Sequence, residues 1–149
     1  MIKIYTDGAS RGNPGPGAYA AIIAYQDQQQ SLSKGFRRTT NNRMELLGVI
    51  VALETLGKDK QSVQVYSDSK YVVDAVQKGW LQAWVYSQFK GKKNVDLWQR
   101  FWTLYQRHQI VLHWVKGHAG DPYNEKCDQL ASACIQTGPW AIDVGYEGA

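Results

Sequence analysis

Residues 2–8 read IKIYTDG, and residues 63–69 read VQVYSDS. Both follow one pattern: apolar, any residue, apolar, tyrosine, hydroxyl, aspartate. In IKIYTDG, Ile2, Ile4 and Thr6 alternate with Lys3, Tyr5 and Asp7, the period of a β-strand. Between the two copies lies TTNNRMELLGVIVALETLG (39–57), where Met44, Leu47, Ile50, Val51 and Leu56 recur at helical spacing and Gly57 closes the run. Two strands joined through a helix pair in parallel by a crossover. Matching registers then bring Asp7 and Asp68 to one level on one face, roughly 5 Å apart. At an effective dielectric of ~20 these charges repel by about 3 kcal/mol. A hard divalent cation with oxygens at ~2.0–2.1 Å would reverse the sign. The expectation is therefore an α/β sheet with a candidate metal site at its strand ends, where open α/β sheets bind ligands.

The remaining chain extends this reading. Ala18–Tyr25 forms a second strand, Gln26–Gln30 a polar turn, and Ser31–Thr40 a third strand, giving an antiparallel meander. Val63–Asp68 is the fourth strand, followed by a helix carrying Tyr71, Val72 and Ala75. Lys78–Lys93 reads as irregular, aromatic and basic, and Asn94 opens a helix with Trp98, Phe101, Trp102 and Tyr105 on its apolar side. QIVLHWV (109–115) is a fifth strand, and Asp121-Pro122 starts a last helix as N-cap and first-turn proline. Thr137–Ala149 shows no period and reads as loop. With no repeats and no linker, one α/β domain is expected.

Composition bounds the function. The 149 residues suffice for one core, and the +4 net charge with pI near 9.0 permits a polyanionic partner. Cys127 and Cys134 lie seven residues apart on one helix, roughly 10 Å along the axis, beyond disulfide reach. Both should be free thiols, which suits a reducing, cytoplasmic setting. No run reaches the ~18 apolar residues of a membrane span, so no membrane partner is expected. A strand pattern from residue 2 leaves no room for a signal peptide.

Each acid also fits a plainer role. Asp7 could be a turn residue, and Asp68 the N-cap of the helix after it. Glu45 stands three residues after Asn42 and could complete a capping box. Asp128 could be a solvated helix residue, although it borders the stripe Cys127, Leu130, Ala131, Cys134. Only their conjunction argues for a site.

YTDGASRGNPGPGAYAAII, TTNNRMELLGVIVALE, YSDSKYV, KNVDLWQR and WVKGHAGDPYNEKCDQLA follow one another from Tyr5 to Ala131. In that order they resemble the blocks of bacterial-type ribonuclease H, type 1 (ribonuclease HI). The resemblance covers roughly residues 1–135. It implies an α/β ribonuclease H-like fold: a five-stranded mixed sheet, three antiparallel strands then two parallel, flanked by helices. It implies a single ribonuclease H domain over 1–149, with a core of about 1–136 and a tail of about 137–149. It implies hydrolysis of the RNA strand of an RNA/DNA hybrid by a monomer, leaving 5′-phosphate and 3′-hydroxyl ends, with two Mg²⁺ ions and Mn²⁺ as a possible substitute. Asp7, Glu45, Asp68 and Asp128 match the family's metal-binding acids, His118 its catalytic histidine and Glu125 an auxiliary acid. No Cys₂His₂ spacing, Ser-His-Asp order or P-loop competes. GNPGPG (12–17) lacks the Lys-Ser/Thr of a P-loop and leads into a strand, so it reads as a hairpin turn. The alternatives are another metal nuclease of the same fold and a hybrid-binding module with a degenerate site. The full set of acids argues against the latter.

Hybrid recognition should use phosphates, 2′-hydroxyls and groove shape. The resemblance makes Asn13, Thr40, Asn41 and Asn42 candidates for such contacts, and Lys34, Arg37, Arg38 and Arg43 form a local basic group. KGWLQAWVYSQFKGKKN (78–94) matches the family's basic protrusion, with Trp80, Trp84, Lys90, Lys92, Lys93 and Asn94 as candidate contacts. It is shorter and less basic than in familiar members. Lys70 stands where a neutral residue is common and could add a phosphate contact. His108 and His113 read as structural.

Overall fold

The computed structural model describes residues 1–117 and 121–148. β1 (Ile2–Ser10), β2 (Gly15–Tyr25) and β3 (Gln28–Thr39) are consecutive antiparallel strands. After them come α1 (Asn41–Glu54), β4 (Ser62–Ser67), α2 (Lys70–Gln77), α3 (Trp80–Tyr86), α4 (Val95–Arg107), β5 (Gln109–Trp114), α5 (Pro122–Thr137), β6 (Trp140–Ala141) and α6 (Val144–Glu147). The sheet order is β5-β4-β1-β2-β3-β6. β1 and β4 pair in parallel with Tyr5 opposite Tyr66, so the tyrosines of the repeated pattern are register partners. β4 pairs in parallel with β5 in turn.

The period-2 alternation sorts side chains onto two faces. Ile4, Tyr19, Ala21 and Ile23 point into the larger core, under α1, α2 and α4, with Met44, Ile50, Val72, Trp98 and Phe101. Tyr5, Ala18, Ala20 and Ile22 point the other way and meet Cys127, Ala131 and Ile135 of α5. Burying each large aliphatic side chain contributes about 1.5–3 kcal/mol. The sheet is thus clamped by helices on both faces.

Four expectations need correction. The sheet has six strands, not five, because Trp140 and Ala141 pair in parallel with Gly35 and Phe36 of β3. The tail is therefore not loop. Trp140 Nε1 donates to the carbonyls of Cys134 (3.1 Å) and Ile135 (3.0 Å), which belong to the last turn of α5. The Cys134 carbonyl also accepts the Gly138 N–H at 3.1 Å, so the indole adds a second donor at this helix end and anchors the tail. The protrusion is not wholly irregular either: Trp80–Tyr86 is a short helix, seated by buried Leu81. Strand ends also differ, with β3 starting at Gln28 and β2 at Gly15.

The free state of both cysteines is as expected. Asp121 caps α5 by accepting from the backbone N–H of Tyr123 (2.9 Å) and Asn124 (3.3 Å), with Pro122 in the first turn. His108 is structural: its buried ring accepts the Gln61 N–H through Nδ1 at 3.1 Å. His113 stacks on Tyr66 and contacts Gln64. No helix among the described residues is long and apolar enough to cross a membrane.

Candidate active site

The site begins where β1 passes under α1. A Cβ placed on Gly8 would lie 2.3 Å from the backbone nitrogen of Glu45. Only a bare Cα lets the two backbones touch, and that contact delivers Glu45 to the strand end beside Asp7. α1 is capped by Thr40, whose hydroxyl accepts the Arg43 N–H at 3.3 Å. Glu45 therefore sits past the first turn, and the capping box with Asn42 does not form. Nor is Asp68 a cap, since Ser69 caps α2 by accepting from Val72. Asp7 lies within β1 itself and accepts the Gly8 N–H at 2.9 Å.

Freed from these plainer roles, Asp7, Glu45 and Asp68 each offer a carboxylate oxygen, and all these atoms lie within 4.8 Å of one another. Asp128, from α5, lines the same cleft with Asp7, Asp68, Asn124 and Glu125. His118 lies outside the described residues. These three acids thus come from three places: Asp7 inside β1, Asp68 directly after β4, and Glu45 in the second turn of α1. Trp114 Nε1 donates to the Asp68 carbonyl at 3.1 Å and pins the end of β4. Sequence reading missed that contact, because one long-range hydrogen bond leaves no pattern.

The electrostatics follow from the crowding. Burial, then the Asp68 charge, push the Asp7 carboxyl up to about 7. Burial, then the charges of Asp7 and Asp68, hold Glu45 well above the usual carboxylate range. Among the described residues, none of these acids is ion-paired to lysine or arginine. Among the described residues, Glu45 Oε1 and Asn124 Oδ1 are buried with no hydrogen-bond partner. Leaving buried oxygens unsatisfied costs about 1–3 kcal/mol each, more when charged. An all-oxygen set of like charges with an orphaned buried oxygen fits a hard divalent cation, which would offset both costs.

Beside the acids, Asn13, Thr40, Asn41, Asn42, Lys93 and Asn94 line an open depression of about 820 Å³. Asn13 Oδ1 accepts the Asn41 N–H (2.8 Å), and Asn41 Oδ1 accepts the Ser10 N–H (2.6 Å), so the first hairpin is laced to the start of α1. With both oxygens engaged, the two amide groups keep their N–H donors for a ligand. The Asn94 side chain is committed internally, donating to Tyr71 Oη at 3.0 Å and accepting from Arg43.

The other candidates divide. Lys70 Nζ lies 5.0 Å from the centroid of the Trp114 ring, next to Asp68. Trp84 packs edge-on against Trp98 and carries Lys92 over its ring, so its indole is mainly structural. Trp80 is exposed with Lys78 over its face, and Lys90 is exposed. Arg43 does not belong to the basic surface group. It is 2% exposed and paired with Asp96 and Asp143 at 2.8 Å each. Sequence could not reveal this, since its partners lie 53 and 100 residues away. Arg37 is paired with Glu147 at the surface.

A family model described as RNase H matches residues 1–136. Ribonuclease H of Desulforamulus reducens is 51% identical over 148 residues, spanning 96% of this chain and 92% of that protein. Ribonuclease HI of Synechocystis sp. is 46% identical over 151 residues, spanning 97% and 94%. LC9-RNase H1, a type 1 RNase H with the type 2 active-site motif, superposes with a TM-score of 0.82 at 29% identity, covering 91% of this chain and 72% of that one. LC11-RNase H1, solved in complex with an RNA/DNA hybrid, gives 0.72 at 25% identity, covering 91% and 97%.

Proposed function

The chain belongs to the ribonuclease H family, enzymes that cut the RNA strand of RNA/DNA hybrids, and from that premise we propose how this one works. Asp7, Glu45, Asp68 and Asp128 are the ligands of two divalent cations, Mg²⁺ with Mn²⁺ as a substitute. When bound, such a pair activates water and supports the leaving oxygen, which leaves 5′-phosphate and 3′-hydroxyl ends. The observation that supports this reading best is the mutual approach of Asp7, Glu45 and Asp68 within 4.8 Å, with no ion pair to lysine or arginine among the described residues.

The chain's own groups do the rest. Asn13, Asn41 and Asn42 offer N–H donors, and Thr40 a hydroxyl, to phosphates and 2′-hydroxyls, which reads backbone shape without base sequence. Lys93, Lys90 and Lys92, and Lys70 on the other side, supply positive charge along the hybrid, with Trp80 free to lie against a sugar. His118 moves a proton to the departing oxygen, a role that suits the imidazole group as a type. Glu125 sits at the rim of the acidic cleft as an auxiliary acid. The enzyme acts as a monomeric single domain in the cytoplasm.

The test compares uniformly labelled RNA/DNA hybrid, single-stranded RNA, duplex RNA and duplex DNA, with Mg²⁺ or with chelator. Cleavage of the hybrid RNA alone, lost in chelator and in Asp7→Asn, is expected. Cutting of duplex DNA, or activity that survives chelator, would overturn the reading.

A further inference from the structure

The family model ends at residue 136, yet the segment after it reaches back into the substrate face. Its Asp143, 5% exposed, accepts from Arg43 through both oxygens, Nε at 2.8 Å and Nη2 at 3.0 Å. It also accepts the Thr39 hydroxyl at 2.7 Å. Arg43 donates in addition to both oxygens of Asp96 (2.9 and 2.8 Å) and to Asn94 Oδ1 (3.3 Å). All five N–H groups of the guanidinium are thereby used, the full capacity of the side chain. Gly145 seals this cluster: a Cβ there would stand 2.0 Å from Asp96 Oδ2 and 2.7 Å from Arg43 Nη2.

The cluster joins three parts of one surface. Arg43 follows Asn41 and Asn42 directly, Asp96 follows Lys93 and Asn94, and Asp143 precedes Gly145 and Tyr146. All of these except Asp143 line the same 820 Å³ depression. The tail thus forms one of its walls, and the ion pairs of buried Arg43 tie that wall to the other two.

We propose that the C-terminal segment is part of the nucleic-acid groove. Asp143 is a positioning residue acting through Arg43, and Tyr146 is a wall against which the hybrid backbone rests. This rests on the hybrid-cleaving reading above. Without Asp143, Arg43 keeps Asp96, so the body of the fold survives, but the tail loses its buried charged anchor and keeps only the surface pair of Glu147 with Arg37, which no longer fixes Tyr146 against the groove.

The experiment measures hybrid Kd in chelator by fluorescence anisotropy, and KM and kcat in Mg²⁺, for Asp143→Asn, Asp143→Glu and Tyr146→Ala. Asp143→Asn should raise Kd and KM roughly tenfold, with kcat within about twofold of wild type. Asp143→Glu should recover part of that loss. Tyr146 is partly exposed, so Tyr146→Ala should keep the wild-type melting temperature while weakening binding roughly fivefold. A folded Asp143→Asn with unchanged Kd and KM and only a lower melting temperature would make the cluster a structural strap and overturn the proposal. Wild-type binding by Tyr146→Ala overturns it as well, and decides the matter if Asp143→Asn does not fold. Unchanged variants of a wild type that cleaves hybrid sink this proposal alone. A wild type that neither binds nor cleaves hybrid sinks the functional reading with it.

Discussion

Neutralising Asp7 should stabilise the metal-free protein, and only at the pH where its charge is a burden. Its carboxyl is displaced from 3.8 to about 7, by burial first and then by Asp68. That displacement corresponds to about 4 kcal/mol once the pH exceeds 7. Charge repulsion alone is of the same order: one charge pair at 4.8 Å and an effective dielectric of ~20 repels by about 3.5 kcal/mol. Between those two pH values the folded state holds a proton that the unfolded state has released. Wild-type stability in chelator therefore falls as pH rises from about 4 to about 7. Asn cannot ionise, so Asp7→Asn escapes the fall. Glu45 also takes up a proton and relieves part of the repulsion, which reduces the expected gain to roughly 2–3 kcal/mol, or about 5–10 °C. Urea and thermal unfolding followed by circular dichroism in EDTA, at pH 5, 7 and 8.5, would measure it. The gap should be smaller at pH 5 than at pH 7 and widest at 8.5. Saturating Mg²⁺ should then reverse the order, because the cation binds the wild type more tightly. A mutant less stable in EDTA at pH 8.5, or a gap independent of pH, would refute the reasoning.

Two further outcomes follow from close contacts. Gly8→Ala forces β1 and α1 apart where the added Cβ would lie 2.3 Å from Glu45 N, and should cost about 2 kcal/mol or more together with most hybrid cleavage. Thermal unfolding and the cleavage assay check both. The Cys127 thiol is buried and pushed up to about 12, chiefly by burial and then by Asp7. A disulfide reagent at pH 8 should accordingly leave it untouched in the native protein and titrate it only after unfolding, with Cys134 as the sole accessible thiol before that.

The sequence by itself determined the two-strand echo and what followed from it. Strand alternation is a period-2 pattern, so IKIYTDG and VQVYSDS carried their own register. The observed pairing of Tyr5 with Tyr66 is the one that pattern predicts. Helical spacing placed α1, α4 and α5 for the same reason. Asp7 and Asp68 were legible as a pair because two copies of one local pattern pointed at each other.

Tertiary structure alone decided the rest. Glu45 fits a capping box as well as a site until β1 and α1 touch at Gly8. Arg43 looks like a surface cation until Asp96 and Asp143 close on it from 53 and 100 residues away. The tail reads as formless in the sequence, yet it adds a sixth strand and a wall of the surface depression. Periodicity records which face of an element is apolar. A two-residue strand, a single buried ion pair and a backbone contact at one glycine repeat nothing, so they become visible only when distant parts of the chain meet.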